Sequence, residues 1–287
     1  MPQQALGRIQ WGPLTFGPGS QYAVTGVDGL DDLPDIRSED VDRPGQHGDY
    51  TGPDWTGPRT ITLKLGLRGR SPDDLRALSL ALRAATQPQR QPAPLQFLDQ
   101  DMLVWAKVRK RSIPYDAEYL WSIGDAALEL YCADPYLYGL TEQSESTTAY
   151  SPSAGRTYPL VYAGSGRTYG AAGTSGRITA VNGGASEAYP VLRIDGPVAA
   201  PAVEQVTSGA ILQIDATIQA GDFLVIDTWT RAVLLGGTSP RRSWVRAGST
   251  WPTLLPGPNE VAYRGNALPG ASGQTSLLTV TWRDTSL

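Results

Sequence analysis

A single segment in this sequence keeps a helical period, and it follows directly on the cleanest strand signal. Within Thr60–Arg68, Ile61, Leu63, Leu65 and Leu67 fall on one face while Thr60, Thr62, Lys64 and Arg68 fall on the other. That period of two marks a half-buried strand. The period then changes. Ser71-Pro72-Asp73-Asp74 supplies an N-cap, a proline at the first helical position and carboxylates near the positive helix end. Leu75, Leu78, Leu82 and Ala85 recur at helical spacing until Pro88 closes the segment, about four turns of 3.6 residues. Elsewhere 32 glycines and 23 prolines punctuate the 287 residues, which leaves room for short strands and many turns but not for further long helices. The expected fold class is mainly β with one α-helix.

In the N-terminal part, short strands are expected at Arg8–Trp11, Tyr22–Val27, Pro94–Leu98, Met102–Arg111 and Ala126–Ala133. Asp28–Pro58, crowded with Asp, Gly and Pro, reads as one long loop, the kind of segment that touches partners. Thr141–Gly155 is polar and rich in Ser and Thr, and reads as a junction dividing the chain into domains 1–145 and 146–287. Beyond it the strand runs are Arg177–Val181, Pro190–Ile194, Ile211–Ala216, Phe223–Asp227, Asn259–Tyr263 and Ser276–Trp282. Regularly spaced short strands of this kind point to a β-sandwich of jelly-roll or galectin-like type.

Charge narrows the function classes. The net charge is −4, and the acidity belongs to the first part: up to residue 140 there are 14 Lys and Arg against 18 Asp and Glu, and beyond it ten of each. With a pI of about 5.1, nothing global attracts nucleic acid or an anionic membrane. A single cysteine, Cys132, rules out an intrachain disulfide and a multi-cysteine metal site. There is no cationic N-terminus followed by an apolar core, and no run of the roughly 20 apolar residues that a membrane-spanning helix needs. Synthesis in the cytoplasm, without membrane insertion, is the expectation.

No motif for chemistry survives inspection, so no catalytic, cofactor-binding or metal-binding residue is assigned and no cofactor is expected. A Ser-His-Asp triad would have to use His47, which lies in the long loop with no Gly-x-Ser-x-Gly elbow. Cys132 sits in a strand-like run and reads as a buried, inert thiol. The cluster Asp28, Asp31, Asp32, Asp35, Glu39, Asp40 and Asp42 fails as an EF-hand loop, because Leu30 and Leu33 stand at positions 3 and 6. In a regular strand Lys107, Arg109 and Arg111 would share one solvated face. The nearby aromatics Trp105, Tyr115, Tyr119 and Trp121 do not interleave with basic residues as a single-strand platform does. Gly164–Gly170 lacks the Gly-Lys-Ser/Thr ending of a phosphate loop. Trp229, Trp244 and Trp251 are the candidates for sugar contact, with core packing as the competing use.

The order of these features resembles a known family. A strand over Arg59–Gly69, one capped helix, a hairpin and Leu128–Tyr138 ending in Ala-Asp-Pro-Tyr resemble the tail-tube-like belt domain of distal tail proteins from long-tailed (siphovirus-type) bacteriophages. Ala188-Tyr189-Pro190, Ile194-Asp195-Gly196-Pro197, Ala220-Gly221-Asp222 and Leu278–Arg283 resemble that family's galectin-like domain. The resemblance implies a tail-tube-like β-sandwich or split barrel followed by a galectin-like sandwich. It implies a non-enzymatic virion protein of the tail tip or baseplate, forming a homo-oligomeric, typically hexameric, ring at the distal end of the tail. Its partners would be itself, the tail-tube protein and the tail-tip hub, with a receptor-binding protein or host surface glycan further out. A carbohydrate-binding adhesion module is the first alternative and a cell-wall hydrolase the second.

Overall fold

The alternation at Thr60–Arg68 produces a central strand. In the computed structural model, which describes residues 7–115, 121–151, 173–268 and 275–287, it covers Arg59–Arg68 with odd-numbered side chains buried and even-numbered ones turned outward. The chain divides into two units, one running to Leu140 and one spanning Thr141–Ser286.

The first unit opens with β1 (Ile9–Trp11), β2 (Leu14–Phe16) and β3 (Tyr22–Asp28). Four short strands follow: β4 (Ile36–Ser38), β5 (Val41–Asp42), β6 (Asp49–Tyr50) and β7 (Asp54–Thr56). After the central β8 (Arg59–Arg68) and the helix α1 (Pro72–Ala85) come β9 (Ala93–Phe97), β10 (Met102–Ser112), β11 (Ile123–Cys132) and β12 (Leu137–Gly139). The main sheet runs β2-β1-β9-β10-β11-β8-β3, with β12 also on β10. Strand β10 serves two stretches of it: Met102–Ala106 pairs with β9 and Lys107–Ser112 with β11. A bulge at Arg109 separates Val108 from Lys110 in this register.

The helix forms as its sequence dictates. Ser71 Oγ accepts the Asp74 N–H at 3.2 Å, Pro72 takes the first turn, and Leu75, Leu78 and Leu82 are buried. They pack into one core with Ile61, Leu63, Leu65 and Leu67 of β8, Trp11, Phe16, Leu95, Val104 and Leu128. Three polar ties fix the helix over the sheet. Tyr22 Oη donates to the Leu78 carbonyl at 2.8 Å, Trp11 Nε1 to Ala85 O at 3.0 Å, and the Arg111 guanidinium to Arg83 O and Thr86 O. A cation at the carbonyl-rich end of a helix is favourable both as a donor and against the helix dipole.

The second unit is a two-sheet sandwich. One sheet has the order β13 (Gln143–Thr148), β23 (Leu277–Trp282), β15 (Val191–Asp195), β19 (Phe223–Asp227), β20 (Ala232–Leu235), β21 (Ser239–Pro240). The other runs β14 (Arg177–Asn182), β22 (Gly257–Asn266), β16 (Val198–Gln205), β17 (Ala210–Gln213), with β18 (Thr217–Ile218) beside β16. Leu192, Ile194, Leu224, Ile226 and Val280 from the first sheet and Val203, Leu212, Val261 and Tyr263 from the second fill one core, as facing sheets require.

Four expectations change here. Asp28–Pro58 is not one irregular loop but two successive antiparallel ribbons. The polar stretch from Thr141 opens with a strand, β13, held to β23 over Gln143–Thr148, so residues 141–145 go with the second unit rather than the first. Ile211–Ala216 breaks after Gln213, where Ile214 bridges to Val245 instead of continuing the strand. The bulge at Arg109 breaks the shared face assigned to Lys107, Arg109 and Arg111. Arg111 pairs opposite buried Leu128 and turns to the helix end, while Lys107 pairs opposite Tyr131 and its Nζ donates to Arg90 O.

Candidate assembly surface

Between Asp28 and Pro58 the chain leaves the core sheet as an arm. Its inner ribbon pairs Ile36 with Thr56, Arg37 with Trp55 and Ser38 with Asp54, and its outer ribbon pairs Val41 with Tyr50 and Asp42 with Asp49. The two runs lie close: a Cβ on Gly52 would stand 2.2 Å from the Glu39 carbonyl oxygen, so only glycine fits. Among the described residues of the arm, large apolar side chains stand in the open. Leu33 is 66% exposed, Val41 61%, Tyr50 58% and Trp55 57%. A two-stranded ribbon with nothing packed on it among the described residues is marginal by itself, and exposed apolar side chains grouped on one segment, with Val41 directly opposite Tyr50, mark a contact surface. The arm also carries nine carboxylates against Arg37 and Arg43, with Asp42 directly opposite Asp49, a like-charge pair that weakens the bare ribbon.

The root of the arm is built differently. Arg59, 2% exposed, points into the first unit. Its Nη1 donates to the carbonyls of Gly29 (3.2 Å), Leu30 (2.5 Å) and Asp32 (2.7 Å), and its Nε to Pro135 O at 3.1 Å. Burial lowers its pKa, against the opposing fields of Cys132, Asp31 and Asp32; starting from so basic a group, it stays charged. One guanidinium thus ties the first turn of the arm to the chain after β11. Gly29 makes that turn possible: its φ is +82°, and a Cβ there would meet the Thr60 carbonyl at 2.2 Å. Beside the root lies a cavity of about 260 Å³ lined by Ile9, Leu30 and Phe97 and by Asp28, Asp31, Asp32 and Asp99. Two of those carboxylates are engaged, Asp28 with Lys64 at 2.7 Å and Asp99 with Arg8 at 3.5 Å.

The residues weighed for chemistry are scattered. His47 lies exposed in the tip between β5 and β6. Cys132 ends β11, fully buried, and burial pushes its pKa up to about 12. Its thiolate fraction at pH 8 is then about a thousandfold below that of a free cysteine. Reaction of the native protein with a disulfide reagent such as DTNB is expected to be slower by at least two orders of magnitude than in denaturant; fast labelling of native protein would contradict this burial. Among the described residues no group of three or more His, Cys, Asp or Glu is placed to hold a metal ion. Tyr119 and the Gly164–Gly170 stretch lie outside the described residues. Two arrangements escaped the sequence reading: the Arg59 anchor and a group of arginines beside Trp229, Trp244 and Trp251.

Residues 19–132 match the phage tail protein RIFT-related domain, and residues 183–284 match the siphovirus-type tail component, C-terminal domain. Together these span most of the chain and define a structural component of a phage tail; neither family is an enzyme family. The chain belongs to the siphovirus distal tail protein family. Among curated proteins, none matches it. Of solved structures, the Dit (gp 19.1) protein of SPP1, described as a paradigm of the hub adsorption apparatus in phages infecting Gram-positive hosts, is similar over 93% of this chain and 94% of its own, at 15% identity and a TM-score of 0.63. A chain of the phage P2 baseplate in its activated conformation with Ca is similar over 96% of both chains, at 11% identity and a TM-score of 0.50. At these identities the likeness speaks for the fold.

Proposed function

We propose that copies of this chain close into a ring, of six by the family resemblance, at the distal end of the tail tube. In this reading the first unit is the belt that joins copies to each other and to the tube protein. The second is a galectin-like domain that meets the tail-tip hub and other peripheral partners, and the chain carries no catalysis. The observation that carries the reading is the arm: an acidic, aromatic-bearing ribbon with no cover among the described residues, anchored rigidly at its root by Arg59. Strand β3 adds an open edge, since among the described residues β8 is its one neighbour in the sheet, and such an edge can take a strand from another copy.

Native mass spectrometry of the full chain tests this. A closed ring is expected, and Trp55→Asp is expected to dissolve it. Loss of a tryptophan anchor weakens an interface by about 2 kcal/mol or more, roughly thirtyfold in the subunit dissociation constant. Because Trp55 is exposed in the single chain, the thermal transition should move little. A chain that stays monomeric at every accessible concentration, with the tube protein present, would defeat the reading.

A further inference from the structure

The charge pattern of the second unit singles out one place. Among its described residues, Arg177, Arg193, Arg246, Arg264 and Arg283 each pair with a carboxylate: Glu260, Asp195, Asp215, Glu204 and Glu142. Among the described residues Arg231, Arg241 and Arg242 make no ion pair, and their places in the chain adjoin. The Arg241 N–H bonds Val233 O at the start of β20, and Arg242 Nη1 donates to the Arg231 carbonyl. Three arginines with no ion-paired carboxylate among the described residues are thus gathered at one end of the sandwich, around the β19–β20 turn.

Two of them stack on aromatic rings. The Arg242 guanidinium lies 4.4 Å over the Trp251 ring, and that of Arg241 5.4 Å over Trp244. Stacking fixes the guanidinium plane while its N–H groups project from the edge, the arrangement that grips a phosphate or carboxylate. In the same turn Trp229 is 45% exposed and meets Tyr189 edge-on at 4.5 Å. The turn is stiff: Asp227 Oδ1 accepts the N–H groups of Trp229 and Thr230, and buried Thr228 donates to Pro190 O at 2.8 Å. Arg231 is held at φ +57°, in the region that side chains other than glycine rarely adopt. An exposed apolar ring in the same turn as Arg231, with two ring-stacked guanidiniums on the segment that returns to that turn, suits a sugar ring that carries negative charge.

We propose that this end of the second unit binds an anionic saccharide, with Trp229 as the platform for the ring and Arg231, Arg241 and Arg242 holding its phosphate or carboxylate groups. The inference does not depend on ring assembly. Its rival occupant is an acidic protein segment, which would use the arginines without the exposed ring face.

Binding of the full-length protein to four immobilised saccharides tests this: a phosphorylated oligosaccharide, a uronate oligosaccharide and the neutral parent of each. At least one charged form should bind ten times or more tighter than its parent, the pair of arms identifying phosphate or carboxylate as the group held. The affinity should fall at least tenfold in the Arg231→Gln/Arg242→Gln variant and at least fivefold in Trp229→Ala, but stay unchanged in Arg264→Gln, whose guanidinium is already paired. Saturable change of tryptophan fluorescence in the unsubstituted protein gives a second readout that no folding defect can mimic. Failure of every saccharide to bind, binding indifferent to these substitutions, or equal competition by poly-glutamate would overturn the proposal, the last in favour of an acidic protein partner.

Discussion

Arg59→Met is expected to lower the thermal transition of the first unit by about 10 °C. Methionine fills much of the arginine's volume but donates nothing, so the carbonyls of Gly29, Leu30, Asp32 and Pro135 lose the donor that all four share. Leaving buried acceptors unsatisfied costs about 1–3 kcal/mol each where water cannot reach. Those at Gly29, Asp32 and Pro135 are only part-buried and recover part of this from solvent. A net loss of about 3 kcal/mol follows, and in a unit of this size each kcal/mol shifts the midpoint by about 3 °C. Arg59→Lys separates charge from geometry. An ammonium restores the charge but cannot span the Pro135 carbonyl and the arm root together, so it should fall between the two. The arm should respond more than the sheet: limited proteolysis within Asp28–Pro58 should accelerate in Arg59→Met well below the melting transition. A midpoint within 2 °C of the unsubstituted protein would show that the anchor contributes nothing to the root.

The signal for this anchor is present in the sequence. Arg59 shares the parity of Ile61, Leu63, Leu65 and Leu67, so the alternation that identifies β8 also places its guanidinium on the buried face. A charge in that position needs dedicated partners, and the glycine-rich turn at Asp28–Leu30 supplies the carbonyls. The helix was legible for the opposite reason, since cap, proline, acidic first turn and leucine spacing all agree. Strand β13 was hidden because Gln-Ser-Glu-Ser-Thr-Thr has no apolar face; it forms by pairing along β23, a long-range event that local pattern cannot report. In β16, Pro201 argues against a strand, yet it falls where the register against β22 shifts between Ala199 and Ala202, one of the few places a sheet accepts proline. The arm reads as a loop in the sequence because its ribbons are two or three residues long and bury little. The arginine group beside Trp229 and Trp251 unites residues up to 22 positions apart, and only the return of the chain after β21 brings them together.

The second unit has its own buried polar anchor, and Asn259→Leu is expected to cost it about 4 kcal/mol. Asn259, with no exposed surface, uses both ends of its amide. Its Nδ2 donates to Leu255 O at 2.7 Å and Gly257 O at 2.8 Å, and its Oδ1 accepts the Leu255 N–H at 2.8 Å and Gln205 Nε2 at 2.7 Å. Gln205, equally buried, accepts in turn from the Ser208 N–H through Oε1. The pair joins β22 to the end of β16 and fixes the Pro-Gly-Pro entry to β22. Leucine keeps asparagine's branched skeleton of four heavy atoms, so the loss is mainly one of hydrogen bonding, with some crowding from its bulkier methyl groups. It strands one N–H, two carbonyls and a glutamine amide. Denaturant unfolding followed by tryptophan fluorescence should show a lower midpoint for this unit at unchanged slope. The double variant Gln205→Leu/Asn259→Leu distinguishes a network from two separate bonds. Removing Gln205 takes away one of the orphaned groups, so the double variant should lie about 1–2 kcal/mol above the sum of the singles. Additivity within about 0.5 kcal/mol would mean that the two amides act independently. A single Asn259→Leu variant within about 1 kcal/mol of the parent would mean that water replaces the lost bonds, and that the turn before β22 opens more readily than its hydrogen bonding implies.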